Sequence, residues 1–266
     1  MKNKNIKYAI ICASGQGKRF RPYTLTQSKE MLPINGIPAI QYSVDECIFA
    51  NIPKIIIVVR PRDTSIRNYF ENNTDYSTYI TYDKFFNNDS NIQLMFVEEF
   101  ETLHYGNAAP LLTVKDKIKE SEFFAVLFGD DVILERNAIS ELKKSYIESN
   151  AVSIIATKYK PDDEIKYYGN VMYEANSKRI IRIVQKPKEK ISNEVIVSRL
   201  ILSYDIFKYI SNETNYNGEI DLGIALQSQL KKDLVIGIRI SGTWISVDNP
   251  QRYREALNLA AQYNDK

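Results

Sequence analysis

Short, continuous apolar runs alternate with segments of helical spacing along roughly the first 160 residues. Residues 7–12 (KYAIIC), 54–59 (KIIIVV), 92–97 (IQLMFV), 123–128 (FFAVLF) and 152–157 (VSIIAT) are β-branched and bounded by turn or charged residues. Runs apolar at nearly every position predict strands buried on both faces, as in a mostly parallel sheet. Between them, 39–50, 64–72, 106–119 and 136–149 predict helices, with Asn137 as a start signal for the last. Strand–helix–strand alternation predicts an α/β fold: a doubly wound, mostly parallel mixed sheet covered by helices on both sides.

After about residue 160 the pattern changes. Segments 169–174, 179–185, 195–203 and 234–240 predict shorter strands, some alternating, with helices at 205–211, 219–232 and 250–262. This is a smaller, more antiparallel C-terminal α+β portion. No repeat, low-complexity tract or Gly/Ser linker interrupts the chain. The expectation is one domain over 1–266, its first part about 1–160 and its second about 161–266.

Composition narrows the chemistry. With 44% hydrophobic and 26% charged residues, the chain is neither disordered nor fibrous. Thirty-five Lys+Arg against 33 Asp+Glu leaves +2, too balanced for a nucleic-acid or membrane-surface binder. No apolar stretch reaches membrane-span length, and Cys12 and Cys47 sit in apolar runs as expected buried thiols of a cytoplasmic protein. A single histidine, His104, expected on a surface loop, leaves little room for Ser-His-Asp, Cys-His or His-rich zinc chemistry. Carboxylates, cations and backbone amides remain.

The first strand runs directly into Ala13-Ser14-Gly15-Gln16-Gly17, with Lys18 and Arg19 after it. Small residues let backbone N–H groups close around an anion, and the cations add charge. The loop is a candidate phosphate cradle, with a plain tight turn as the alternative. It lacks the G-K-[ST] of a Walker loop and the third glycine of a dinucleotide fingerprint.

The longer pattern G-x-G-x-R-F-x-P-x-T over 15–24, followed by K-E-M-L-P at 29–33, resembles the signature of sugar-1-phosphate nucleotidyltransferases (nucleoside-diphosphate-sugar pyrophosphorylases). K-E-M-L-P-I with P-A-I-Q-Y-S-V-D-E at 38–46 is most similar to bacterial UTP–glucose-1-phosphate uridylyltransferases. The likeness continues in F-G-D-D-V-I-L at 128–134, Y-G-N-V at 168–171, V-Q-K-P at 184–187, S-R-L-I-L-S at 198–203, G-E-I at 218–220 and W-I-S-V-D at 244–248. It implies a Rossmann-like fold of the nucleotide-diphospho-sugar transferase type, with the nucleotide bound mainly by 1–160 and the sugar by 161–266.

The activity implied is transfer of a nucleotidyl group from a nucleoside triphosphate, UTP first, to a sugar 1-phosphate, glucose 1-phosphate first, with release of pyrophosphate. Such a transfer needs no covalent intermediate; positioning and charge neutralisation carry it. The resemblance assigns Arg19 and Lys29 to the triphosphate, in a pocket of Ala13, Ser14, Gly15, Gly17, Glu99 and Gly106. It assigns Asp130 and Asp248 to Mg²⁺, with Asp131 behind Asp130. Lys186 falls to the sugar phosphate and Gly169 and Gln185 to the sugar, while Glu219 falls either to the sugar hydroxyls or to the cap of its helix. Catalysis would rest on Arg19, Lys29, Asp130 and Lys186. A homo-oligomer is expected.

Three positions depart from the pattern. Asp248 stands in V-D-N-P where relatives carry D-x-G, so a turn or cap role is its alternative. Gln185 replaces a glutamate that meets sugar hydroxyls, and Glu99 stands where relatives read uracil with a glutamine. Gly106-Asn107-Ala108-Ala109-Pro110-Leu111 is similar to a guanylyltransferase segment. Thymidylyl, cytidylyl or guanylyl transfer to another phosphorylated sugar or alcohol, and a non-catalytic sugar-nucleotide binder, are the competing readings.

Overall fold

The computed structural model describes residues 5–72, 92–101, 105–119, 122–210 and 218–264. A nine-stranded sheet organises them. Strand β1 (Tyr8–Ala13) is central, parallel to β4 (Lys54–Val59) on one side and β6 (Phe123–Phe128) on the other; β5 (Gln93–Glu98) lies parallel beyond β4. The order β5-β4-β1-β6 reverses between β1 and β6, the switch point where open α/β sheets bind ligands at their strand C-termini. Strand β11 (Glu194–Ser203) runs antiparallel to β6 and β8 (Ser153–Tyr159); β12 (Val235–Arg239) lies parallel beside β8, and the pair β9 (Gly169–Tyr173) and β10 (Ile180–Gln185) branches from β11. Strands from both halves of the chain thus join one sheet.

Both faces are covered. Ile11, Ile55, Ile57, Ala125 and Leu127 pack with α1 (Ala39–Phe49), α2 (Ser65–Asn72) and α4 (Ala138–Glu148). Ile10, Ile56, Val58 and Val126 pack with α3 (Ala109–Val114) and α5 (Leu222–Gln229). This two-sided burial is why the strands read as unbroken apolar runs. Cys12 and Cys47 are buried free thiols, and burial pushes both well up from their ordinary range.

Some helices differ from the sequence expectation. The 106–119 segment forms only α3 and a 3₁₀ turn (Lys115–Lys117), because its first residues are drawn against Ile220. The 205–211 segment is a 3₁₀ helix, Tyr204–Lys208. Asn137 precedes α4 but makes no cap; its side chain donates to Glu141 and Ser241. Two short pairings escaped the pattern: β2 (Pro33–Ile34) with β3 (Ile37–Pro38), and β7 (Asp131–Ile133) with β13 (Trp244–Ser246). The last helix, α6 (Pro250–Asn264), follows β13. Among the described residues no helix is long and apolar enough to cross a membrane.

Candidate active site

At the C-terminal ends of β1 and β6 lies a cavity of about 510 Å³. Of the residues expected to bind nucleotide or carry catalysis, Ser14, Gly15, Gly17, Arg19, Lys29, Glu99, Gly106, Asp130 and Lys186 all line it, together with Glu219 and Asp248. Ala13, the last residue of β1, is buried just behind. An adjoining cavity of about 290 Å³ is lined by Gly169, Gln185, Trp244 and Arg252, and shares Asp130, Lys186 and Asp248 with the first. His104 lies outside the described residues.

The loop after β1 is built around Gly17, whose φ of 60° favours glycine and whose missing Cβ would come within 2.9 Å of Thr24. The Thr24 hydroxyl donates to the Gly17 carbonyl at 2.7 Å. From the side, Arg60 donates to Gln16 and Thr24 carbonyls and pairs with Asp63, which also accepts from Ser28. Gly106 meets the other wall: a Cβ there would sit 2.2 Å from the Ile220 carbonyl oxygen. The close passage of the two chains brings Asn107 to the start of α5, where its side chain accepts the Leu222 N–H at 2.6 Å.

The two metal candidates converge through β7 and β13. Ser246 pairs with Asp131, and the Val247 N–H donates to the Asp130 carbonyl at 2.7 Å, so Asp130 and Asp248 border both cavities. Asp131 itself is buried, hydrogen-bonded to Ser198 and Ser246; burial and the Asp130 charge raise its pKa. Each outer aspartate has cationic partners. The Lys29 ammonium donates to Asp130, while Asp248 meets Arg19 at 3.3 Å and Arg252 at 3.1 Å. Asn249 accepts the Gln251 and Arg252 N–H groups at the start of α6, so it carries the cap role that was the alternative for Asp248.

Burial works against the Lys29 charge, yet the Asp130 and Glu30 carboxylates outweigh it and hold the ammonium firmly protonated. Glu30 lines the cavity but is almost fully buried, and its Oε2 has no hydrogen-bond partner among the described residues. Burial, only partly offset by Lys29, pushes its carboxyl to about 8. Burial also raises Glu99, against the opposing hydrogen bond donated by the Ser14 hydroxyl. Lys186 follows Gln185 in left-handed backbone, φ 43°, its N–H donating to the Tyr168 carbonyl at 3.0 Å. Such backbone is uncommon away from glycine and concentrates at sites where a side chain must be aimed. Gln185 lies against Gly169 and Gly223, where no side chain intervenes.

Sequence reasoning missed Glu30, Asn107 and Arg252. Glu30 was legible only as a letter of K-E-M-L-P; Arg252 carried the signal of a cation four residues after Asp248.

A cavity at a sheet switch point, lined by a glycine loop, the four cations Lys18, Arg19, Lys29 and Lys186 and two aspartates, is a site for joining phosphorylated substrates. Residues 8–262 match the Nucleotidyl transferase family, and the chain belongs to it. It is 34% identical over 253 residues to UTP–glucose-1-phosphate uridylyltransferase 1 of Staphylococcus saprophyticus, covering 89% of this chain and 86% of that protein. With the UTP–glucose-1-phosphate uridylyltransferase of Pseudomonas aeruginosa it shares 32% over 271 residues, 96% of this chain and 95% of that one. The fold superposes on a UDP-glucose pyrophosphorylase complexed with UDP-glucose at a TM-score of 0.85, with 28% identity, covering 98% of this chain and 100% of that one. A UTP-bound UGPase from Acinetobacter baumannii gives 0.78 at 27% identity, over 96% and 93%.

Proposed function

We propose that this nucleotidyltransferase transfers uridylyl from UTP to glucose 1-phosphate, yielding UDP-glucose and pyrophosphate by in-line attack of the sugar-phosphate oxygen on the α-phosphorus. The observation that carries the reading is the convergence of Arg19, Lys29, Asp130, Lys186 and Asp248 on one cavity at the β1–β6 switch point. Similarity to several uridylyltransferases supports the choice of substrates.

Arg19, with its planar fork, grips triphosphate oxygens, and Lys29 adds a point charge beside them. Lys186 holds the sugar phosphate, bringing two mutually repelling anions into reacting distance. Gly169, Gln185 and Glu219 face the sugar. Glu99, with Ser14 and Gly106, borders the base, where its carboxylate can accept the uracil N3–H.

Two carboxylates flanking phosphate-binding cations fit Mg²⁺, which takes one or two carboxylates and completes its shell with water and phosphate oxygens. Asp130 and Asp248 would hold it, and when bound it supplies charge neutralisation at the phosphates. Turnover of five nucleoside triphosphates against several sugar 1-phosphates, read as pyrophosphate release, tests the proposal. UTP with glucose 1-phosphate should lead; release without any sugar phosphate, or none with any pair, would refute it.

A further inference from the structure

The loop that carries Asp130 is held from inside the protein by a residue no part of the site uses. Arg199, in the middle of β11, and Glu46, on α1, are both fully buried. Arg199 Nε donates to the two Glu46 carboxylate oxygens at 3.2 and 3.0 Å. Its remaining nitrogens turn to the β6–β7 loop: Nη1 donates to the Phe128 carbonyl at 3.2 Å, and Nη2 to the Asp131 carbonyl at 2.7 Å. These two carbonyls bracket Gly129 and Asp130. The Ser198 carbonyl at 3.1 Å and the Ser43 hydroxyl at 3.2 Å complete the set, so all five guanidinium donors are used. Glu46 in turn accepts the Ile139 N–H at the start of α4 at 3.0 Å.

A fully buried ion pair is a poor stabiliser, because desolvation of two charges offsets their attraction and an apolar pair of similar size does as well. What an apolar pair cannot do is hold two carbonyls at fixed spacing. Only a rigid fork spans Phe128 and Asp131 while bound to Glu46; a lysine's three donors all radiate from one nitrogen. The grip also accounts for Asp131 pairing in β7 directly after the loop, which sets the approach to Asp248.

We propose that Arg199 is a positioning residue for Asp130: clamped by Glu46, it fixes the Phe128–Asp131 backbone so that the Asp130 carboxylate meets the metal at the edge shared with Asp248. This rests on the reading of Asp130 as a metal carboxylate. Arg199 touches no substrate; its effect passes through the backbone.

The test compares the full-length protein with R199K, which keeps the buried charge but loses the fork, and with the apolar pair E46L/R199M. Folding is followed by circular dichroism and thermal melting, metal binding by electron paramagnetic resonance of Mn²⁺ with UTP present, and turnover across Mg²⁺ concentrations; D130N runs in parallel. Folded R199K and E46L/R199M should bind Mn²⁺ about 10–100-fold more weakly and lose kcat to a similar degree, the scale typical of residues that orient metal ligands. The KM for glucose 1-phosphate, set by the Lys186 side of the cavity, should change less than about twofold. A folded variant with parental Mn²⁺ affinity and kcat overturns the inference, and so does failure of both to fold, which would make Arg199 a scaffold residue. If D130N loses metal and turnover while folded R199K keeps both, the inference alone fails. If D130N keeps both, the reading of Asp130 fails and the inference falls with it.

Discussion

The Val247 N–H donates to the Asp130 carbonyl oxygen at 2.7 Å, a bond between residues 117 apart in sequence that draws Asp248 to the end of β6. It continues the β7–β13 ladder by one step, so the two aspartates approach through backbone pairing rather than through their side chains. The site is thereby assembled from both halves of the chain.

Asp130 and Asp248 should therefore be separately required. D130N and D248N keep size and remove charge, and each should lower kcat by roughly 10²-fold or more while melting close to the parent. Steady-state turnover with circular dichroism checks this; a folded variant with near-parental turnover removes that carboxylate from the metal site.

Arg19 and Lys186 should separate in kinetics. R19A should mainly damage use of UTP, and K186A use of glucose 1-phosphate, each by about 2–4 kcal/mol of transition-state binding for a lost charged contact. Full initial-rate matrices distinguish them. Equal effects on both substrates would contradict the division of roles.

Glu30 makes stability depend on pH. Its carboxyl titrates near 8 in the folded protein against an ordinary 4.5, so the unfolded chain has lost this proton while the folded chain still holds it. Stability contributed by Glu30 is present below about 4.5, falls as pH rises to about 8, and changes no further above that. E30Q should flatten urea-unfolding stability between pH 5 and 8.5 by an amount of order a few kcal/mol. Parallel curves for parent and E30Q would contradict the assignment.

Glu99 should shape the choice of base. With Ser14 donating to its carboxylate, it offers one proton-dependent donor where an amide offers a permanent one. In competition with all triphosphates present, discrimination against CTP and GTP should be weak and should sharpen in E99Q. Strong selection of UTP, unchanged in E99Q, would remove Glu99 from the base pocket.

Much of this architecture was legible because the buried strands are apolar at every position, and the glycine loop, K-E-M-L-P and G-D-D stand next to strand ends. What escaped depends on long-range geometry. The three-residue strands at Asp131 and Trp244 carry no periodicity of their own and exist only because they find each other. The 106–119 segment had helical composition, yet Tyr105 and Ala108 are bonded to Ile220, and Asn107 to Leu222, from the second half of the chain. Glu46 and Arg199 were visible as motif letters, but their pairing across 153 positions was not.

The most direct measurement follows the α-phosphorus. UTP labelled with ³²P at the α position is incubated with the protein, Mg²⁺ and glucose 1-phosphate, and the products are separated. The expected result is label moving into UDP-glucose in step with pyrophosphate, only when glucose 1-phosphate is present, with none retained on the protein. Label that remains in UTP, or that becomes bound to the protein or passes to water, would contradict direct uridylyl transfer.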